Sequence, residues 1–238
     1  MKKLFTLTLA ILTTSTVITA QEHVYPKKGR FNIHAAYDAS LFNSVSIEQE
    51  KRRTGNKEYT WRGFDGFNIG AGYTHPLWKG LGFETGLDFD FSTRKDDYEK
   101  KIYIKYTFFD VRIPLTLLYD VWCNDIFTFT PFAGFDIGSG LIGKMDIVGD
   151  ATIEEKDIHI DEHMSMYSKN DMSGNPYARF IFNWHAGIRF TFCNHFSIGY
   201  TYMGPIAKMG YSATRYPDRR DEYSTSRQSH FATFTYFF

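Results

Sequence analysis

The chain has 238 residues, with 27 Lys and Arg balancing 27 Asp and Glu. That balance excludes the basic excess with which a nucleic-acid binder neutralises phosphates. Aromatic residues make up 18% of the chain, and 19 glycines stand against 7 prolines, a composition suited to curved strands that close on themselves rather than to helices.

The opening "MKKLFTLTLAILTTSTVITA" has a basic start at Lys2 and Lys3, an apolar stretch from Leu4 to Ile18, and small residues before Gln21. It reads as a secretory signal peptide, 1–20, cleaved near Ala20, which leaves 21–238 as one domain. Beyond it no run approaches the ~18 apolar residues of a membrane helix.

From there a period of two residues recurs eight times. In "RFNIHAAYDASL", Phe31, Ile33, Tyr37 and Leu41 alternate with Asn32, His34, Asp38 and Ser40. "FNIGAGYT" and "LGFETGLDFDFS" follow, the second setting Leu87, Phe89 and Phe91 against Gly86, Asp88 and Asp90. "DVRIPLTLLYD" sets Val111, Ile113 and Leu117 against Asp110, Arg112 and Thr116. "FTFTPFAGFDIGSGL", "RFIFNWHAGIRFTF", "FSIGYTYM" and the terminal "HFATFTYFF" repeat the scheme.

The connections alternate as well. "HPLWKG", "VWCND" and "CNH" are tight, whereas Phe42–Gly63, Thr93–Lys101, Gly143–Tyr177 and Met209–Ser229 are long and hydrophilic. Short turns on one rim and long loops on the other predict an all-β, eight-stranded, antiparallel up-and-down transmembrane β-barrel of the outer membrane. Closure is required because backbone groups in hydrocarbon must all find partners. The short turns and both strand termini then lie on the periplasmic side. Phe234, Tyr236 and Phe238 face lipid on the closing strand and provide a C-terminal signal for the barrel-assembly machinery.

"FFDVRIPLTLLYDVW", "FTFTPFAGFDIGSGL", "WHAGIRFTFCNHFSIGYTYMGPI" and the terminal "FTYFF" resemble the Bacteroidetes-type outer-membrane barrels, the PorT-like and OmpX-like small barrels. The resemblance covers most of the chain and is a pattern of strands. It implies the fold and brings no catalytic motif.

Within such a barrel Glu84, Asp88, Asp90, Arg112, Asp136, Arg179 and Arg189, with His34, Asn183 and His185, fall on the inward face. An eight-stranded interior is just wide enough to be filled by side chains. The expectation is therefore a network of paired charges, since an isolated buried charge is costly. In "DIHIDEH", Asp157, His159, Asp161 and His163 recur at every second residue. One side of an extended segment would carry all four, and imidazole with carboxylate suits Zn²⁺ or a similar ion. Cys123 and Cys193 sit in neighbouring short turns, an even pair that an oxidising compartment permits to bridge.

The leading functional reading is a non-enzymatic barrel displaying loops for binding, adhesion or envelope integrity. It needs no cofactor, and its partners are outer-membrane lipid, the assembly machinery and an extracellular ligand. Strands continuing past the membrane, as in "YEKKIYIKYTFF", would raise a rim that docks partners by strand addition. The alternatives are a lipid-modifying enzyme using His230 with Ser226, Ser229 or Glu222, a narrow channel, and a secreted lipocalin-like barrel.

Overall fold

Alternating side chains make each strand two-faced, and the strands assemble by hiding one face from the other's medium. The computed structural model describes residues 28–44, 64–99, 102–123, 126–153, 156–167, 179–206, 210–211 and 224–238. The signal peptide assigned to 1–20 lies outside them. Among the described residues eleven strands form one sheet: β1 (Arg30–Ser44), β2 (Phe64–Trp78), β3 (Leu81–Glu99), β4 (Ile102–Tyr119), β5 (Trp122–Cys123) and β6 (Phe127–Ile153) come first. β7 (Lys156–Ser165), β8 (Phe180–Phe192), β9 (Phe196–Pro205), β10 (Gly210–Tyr211) and β11 (Ser224–Phe237) complete it.

Eight of these make a closed ring, in the order β1-β2-β3-β4-β6-β8-β9-β11, with β11 pairing back onto β1. All pairings are antiparallel and, apart from the closing β1–β11 pair, join successive strands of the ring, so this is the expected up-and-down barrel. The register fixes its shear. Stepping across the ladder from Arg30 leads through Thr74, Glu84, Thr116, Gly134, His185, Met203 and Ser229 to Ser40. The ladder returns to β1 ten residues above its start, which tilts the strands by roughly 40°.

Sidedness is sharp. Phe31 is 66% exposed and Ile198 53%, while Asp38 is 0% and Asp90 1% exposed. A soluble sheet would reverse that arrangement, so the lipocalin-like alternative does not fit. Phe234 and Phe238 point outward and are exposed, whereas Phe231 and Phe237 turn inward and are buried. The seam is sealed from Asn32 opposite Phe237 to Ser44 opposite Thr225, and the Phe238 amide donates to the Phe31 carbonyl at 2.9 Å.

Tight turns close the lower rim. Lys79 (φ 40°) with Gly80 (φ 86°), and Cys193 (φ 49°) with Asn194 (φ 61°), adopt the left-handed backbone that matches strand twist in short hairpins.

The upper rim differs from expectation. The segments Thr93–Lys101 and Gly143–Tyr177, expected as loops, are largely strand. β3 runs to Glu99, β4 starts at Ile102, and β6 continues to Ile153 before β7 folds back on it. Charged side chains pointing into water do not break a ladder whose other face stays apolar. Ile104, Tyr106, Met145, Ile147, Ile160 and Met164 are half-buried on that face. Together β3, β4, β6 and β7 form a four-stranded ridge standing beyond the barrel.

Candidate functional site

The barrel interior, its upper mouth and the ridge are three places where polar side chains converge. Inside, the alternation delivers paired charges. Arg189 Nη1 donates to Glu84 at 3.1 and 3.2 Å, and the Thr74 hydroxyl donates to the same carboxylate at 2.5 Å. Arg112 Nη2 reaches Asp90 at 2.9 Å, while its Nη1 donates to the Met203 sulfur at 2.8 Å. Asp88 lies 3.1 Å from His34 Nε2, and Asp136 accepts from His185 Nδ1 at 2.7 Å. Glycine makes the room: a Cβ at Gly70 would collide with Asp88 Oδ1 and His34 Nε2. The arginines also stack on inward aromatics, Arg112 over Phe231 at 5.1 Å and Arg189 over Phe237 at 5.1 Å.

Of the inward set, Arg179 alone lies elsewhere. It precedes β8, is exposed, and stacks over the Tyr167 ring at 5.2 Å. Its alternation parity is right, but the barrel wall stops at Phe180.

A cavity of about 110 Å³ remains among His34, Asn68, Glu84, Thr116, Asp136 and His185. It has room for several water molecules, and the side-chain amide nitrogen of the buried Asn68 has no hydrogen-bond partner among the described residues. Here Thr116 Oγ1 lies 2.9 Å from His185 Nε2, so hydroxyl, imidazole and carboxylate stand in the order of a nucleophilic triad. Among the described residues the surrounding strand amides belong to the β4–β6 and β6–β8 ladders, where an oxyanion would need an N–H pair free of the ladder. Nothing in the sequence linked these three residues, because the connection is made only by the register of β4, β6 and β8.

Above the cavity the mouth is filled. Phe64, Phe108, Met166 and Tyr167 form a buried apolar cluster. Tyr167 lies in a notch above Gly140 and Gly143, where any Cβ would collide with its ring. The Met166 amide donates to the Gly143 carbonyl at 2.8 Å, latching the end of β7 to the barrel. A plug of this kind opposes the narrow-channel alternative.

On the ridge, Asp161, His159 and His163 do share the outer face of β7, and the Asp157 side chain is outside the described residues. Their partners come from β6. His159 Nδ1 donates to Asp150 at 2.8 Å, and His163 Nδ1 to Asp146 at 2.6 Å. These hydrogen bonds raise both imidazole pKa values above the ordinary one, with Asp161 adding to the effect at His163. Each cross-strand carboxylate thus engages the Nδ1 of its histidine, and His163 Nε2 lies 3.4 Å from Asp161. Among the described residues no three or more His, Cys, Asp or Glu side chains are grouped to hold an ion.

The cysteines fall apart. Cys123 pairs with Thr128 on one edge of β6, while Thr191 pairs with Thr128 on the other. Two strand spacings, roughly 10 Å, therefore separate the cysteine-bearing segments, beyond the ~7 Å a disulfide spans. Cys193 is a free, exposed thiol. The enzyme alternative also loses a partner: Ser229 turns inward, bonded to Ser40 at 2.8 Å, while His230 Nδ1 lies 2.6 Å from the Tyr200 hydroxyl on the outer surface. The Ser226 side chain and Glu222 lie outside the described residues.

Comparison with known families agrees on the fold. The family model for the outer membrane protein beta-barrel domain matches residues 9–229. Among solved structures, Ail, the attachment invasion locus protein of Yersinia pestis, is 14% identical, with 89% of this chain and 99% of that one covered, at a TM-score of 0.45. Neisserial surface protein A is 9% identical over 87% and 97%, at 0.44. The outer membrane enzyme PagL is 11% identical over 86% and 97%, at 0.42. None of these lends the chain a residue's role. No curated protein matches it.

Proposed function

The chain belongs to the outer membrane protein β-barrel family, and from that premise we propose a non-enzymatic surface-display barrel of the Bacteroidetes type. The leader ending near Ala20 exports it, and the barrel then anchors in the outer membrane with its short turns facing the periplasm. The ridge carries the function, which is to bind an extracellular protein partner. One observation supports this above others: β7 pairs with β6 and with no other strand among the described residues. Its second edge offers backbone donors and acceptors to an extended partner segment. The outer face of the hairpin, with Asp146, Asp150, His159, Asp161 and His163, supplies side-chain selectivity.

The test compares cells displaying the intact chain with cells displaying one in which residues 146–163 are replaced by a short Gly-Ser linker. Adhesion to a panel of immobilised extracellular-matrix proteins should be lost in the shortened chain, which should still fold as a barrel. Equal adhesion by both would overturn the ridge as the binding element. A mass change in purified lipid A incubated with the intact chain would overturn the non-enzymatic reading.

A further inference from the structure

The open edge of β7 carries a charge palindrome. Asp157, His159, Asp161 and His163 occupy alternate register positions of the strand, so acid and imidazole take turns along it. Reversed, the order becomes its own complement. Two copies of β7 laid antiparallel about Ile160 set Asp161 opposite His159 and Asp157 opposite His163, and symmetry repeats both pairs. Four acid–imidazole pairs result, with no like charges directly opposite. A slip of two residues puts Asp161 opposite Asp161 or His159 opposite His159, and a slip of four keeps only two pairs. A slip of one turns the apolar face of one strand toward the polar side of the other.

The side chains are turned to suit. His159 Nδ1 donates to Asp150 at 2.8 Å and His163 Nδ1 to Asp146 at 2.6 Å, both on β6. Nε2 lies across the ring from Nδ1, so the Nε2 of His159 points away from β6, on the side of the open edge. His159 and Asp161 are both exposed. Asp161 has His163 Nε2 at 3.4 Å along its own strand, and a carboxylate retains acceptor sites for a second imidazole. On the other face of β7, Ile160 is half-buried and would meet its own symmetry mate. Glu162 would fall diagonally across from Lys156 of the second copy, a spacing that long side chains span.

The backbone agrees with the side chains. β7 runs Lys156–Ser165 without a proline, and among the described residues it pairs only with β6. Its second edge therefore templates another strand. Antiparallel strands of identical chains are related by a twofold axis normal to their sheet, and such an isologous contact closes at two copies. β6 runs unbroken from the barrel wall at Phe127 to Ile153 on the ridge. The axis that reverses β7 thus also reverses the barrel beneath it, and the two barrels stand in facing membranes.

On the reading that the ridge is the binding element, we propose that its partner at the open edge of β7 is β7 of a second copy of this chain, carried by a facing cell. Main-chain hydrogen bonds join the two ridges into one continuous sheet, and the Asp–His pairs fix the register. The contact is self-recognition between cells that display the same chain.

The test uses the full chain with Cys123→Ser and Cys193→Ser, folded into two populations of phosphatidylcholine vesicles that carry different fluorescent labels. Ile160→Cys places a thiol on the twofold axis, with its mate within the ~7 Å of a disulfide. Mild oxidation of the mixed vesicles should give a cross-linked dimer containing both labels. Met164→Cys should give none, because its symmetry mate lies roughly 27 Å away along the strands. Adding Asp157→Lys/Asp161→Lys to Ile160→Cys sets lysine against histidine in every pair. It leaves the His159–Asp150 and His163–Asp146 bonds in place and should lower the dimer yield on the order of tenfold. The heat-dependent gel shift of each variant confirms a folded barrel. Equal cross-linking at 160 and 164, or a folded charge variant that dimerises as before, would overturn the register. Dimers within one vesicle population and none between the two would overturn the facing arrangement. No dimer from folded Ile160→Cys, in a chain whose adhesion still depends on residues 146–163, would overturn the self-contact and leave the ridge as the binding element.

Discussion

At the residue scale the interior is held by pairs whose members cannot be removed singly. Glu84 carries the Arg189 guanidinium and the Thr74 hydroxyl. Glu84→Gln leaves the half-buried arginine without its carboxylate and should cost up to about 3–5 kcal/mol. The double replacement Glu84→Gln/Arg189→Met should recover much of that, because it leaves no orphaned charge. Denaturant unfolding of the refolded barrel in detergent measures both, and equal losses would refute the pairing. On the ridge, His159 and His163 have raised pKa values because Asp150 and Asp146 accept their protons' hydrogen bonds. Protonated rings are therefore favoured in the folded hairpin. That contribution is complete below the ordinary histidine value of about 6.5 and fades as pH climbs through the raised folded values. NMR titration should give both rings midpoints above the ordinary one, and amide protection in β7 should drop over the same interval. Midpoints at or below the ordinary value would remove the Asp–His pairs. Thiol counting gives a third check: the denatured, unreduced protein should show two reactive thiols, as the β6 register requires.

At the scale of the element, the seam and the hairpin behave differently. β11 closes the ring along its whole length, and Phe238 ends it with an outward ring and a backbone bond to Phe31. Deleting Phe238 should weaken the heat-dependent gel shift of membrane-fraction protein, and an undiminished shift would show the terminal residue to be dispensable. Tyr167→Ala at the mouth should instead leave the shift intact while speeding amide exchange in β7, since it removes the latch and not the seam. The strands of the wall were legible in the sequence because each separates lipid from a polar interior, so Phe31-Asn32-Ile33 or Phe89-Asp90-Phe91 alternates without ambiguity. The ridge was less so. "DIHIDEH" shows His and Asp at every second residue, the spacing of a ligand set on one side of an extended segment. The intervening Ile158 and Ile160, and Met145 and Ile147 on β6, carried the complementary apolar signal of a strand pair. Which carboxylates would meet the histidines depended on hairpin register, and no local pattern encodes that.

For the whole molecule, closure with a stagger of ten residues follows from eight individually weak strands that agree with one another. Parity alone places the interior charges, and it also puts Arg179 on the inward face, although that residue lies exposed just before β8, because parity cannot tell where the wall ends. Parity is equally silent about the Tyr167 plug, which arises from a segment folding back into a notch between Gly140 and Gly143. The proposed function requires one orientation: a membrane-spanning barrel with the ridge outside the cell and the tight turns inside the envelope. Its most direct measurement is labelling of single cysteines by a membrane-impermeant maleimide, in a chain carrying Cys123→Ser and Cys193→Ser. Asp150→Cys on the ridge should label on intact cells, and Lys79→Cys in the β2–β3 turn only after the outer membrane is permeabilised. Labelling of Lys79→Cys on intact cells with Asp150→Cys protected would contradict the account.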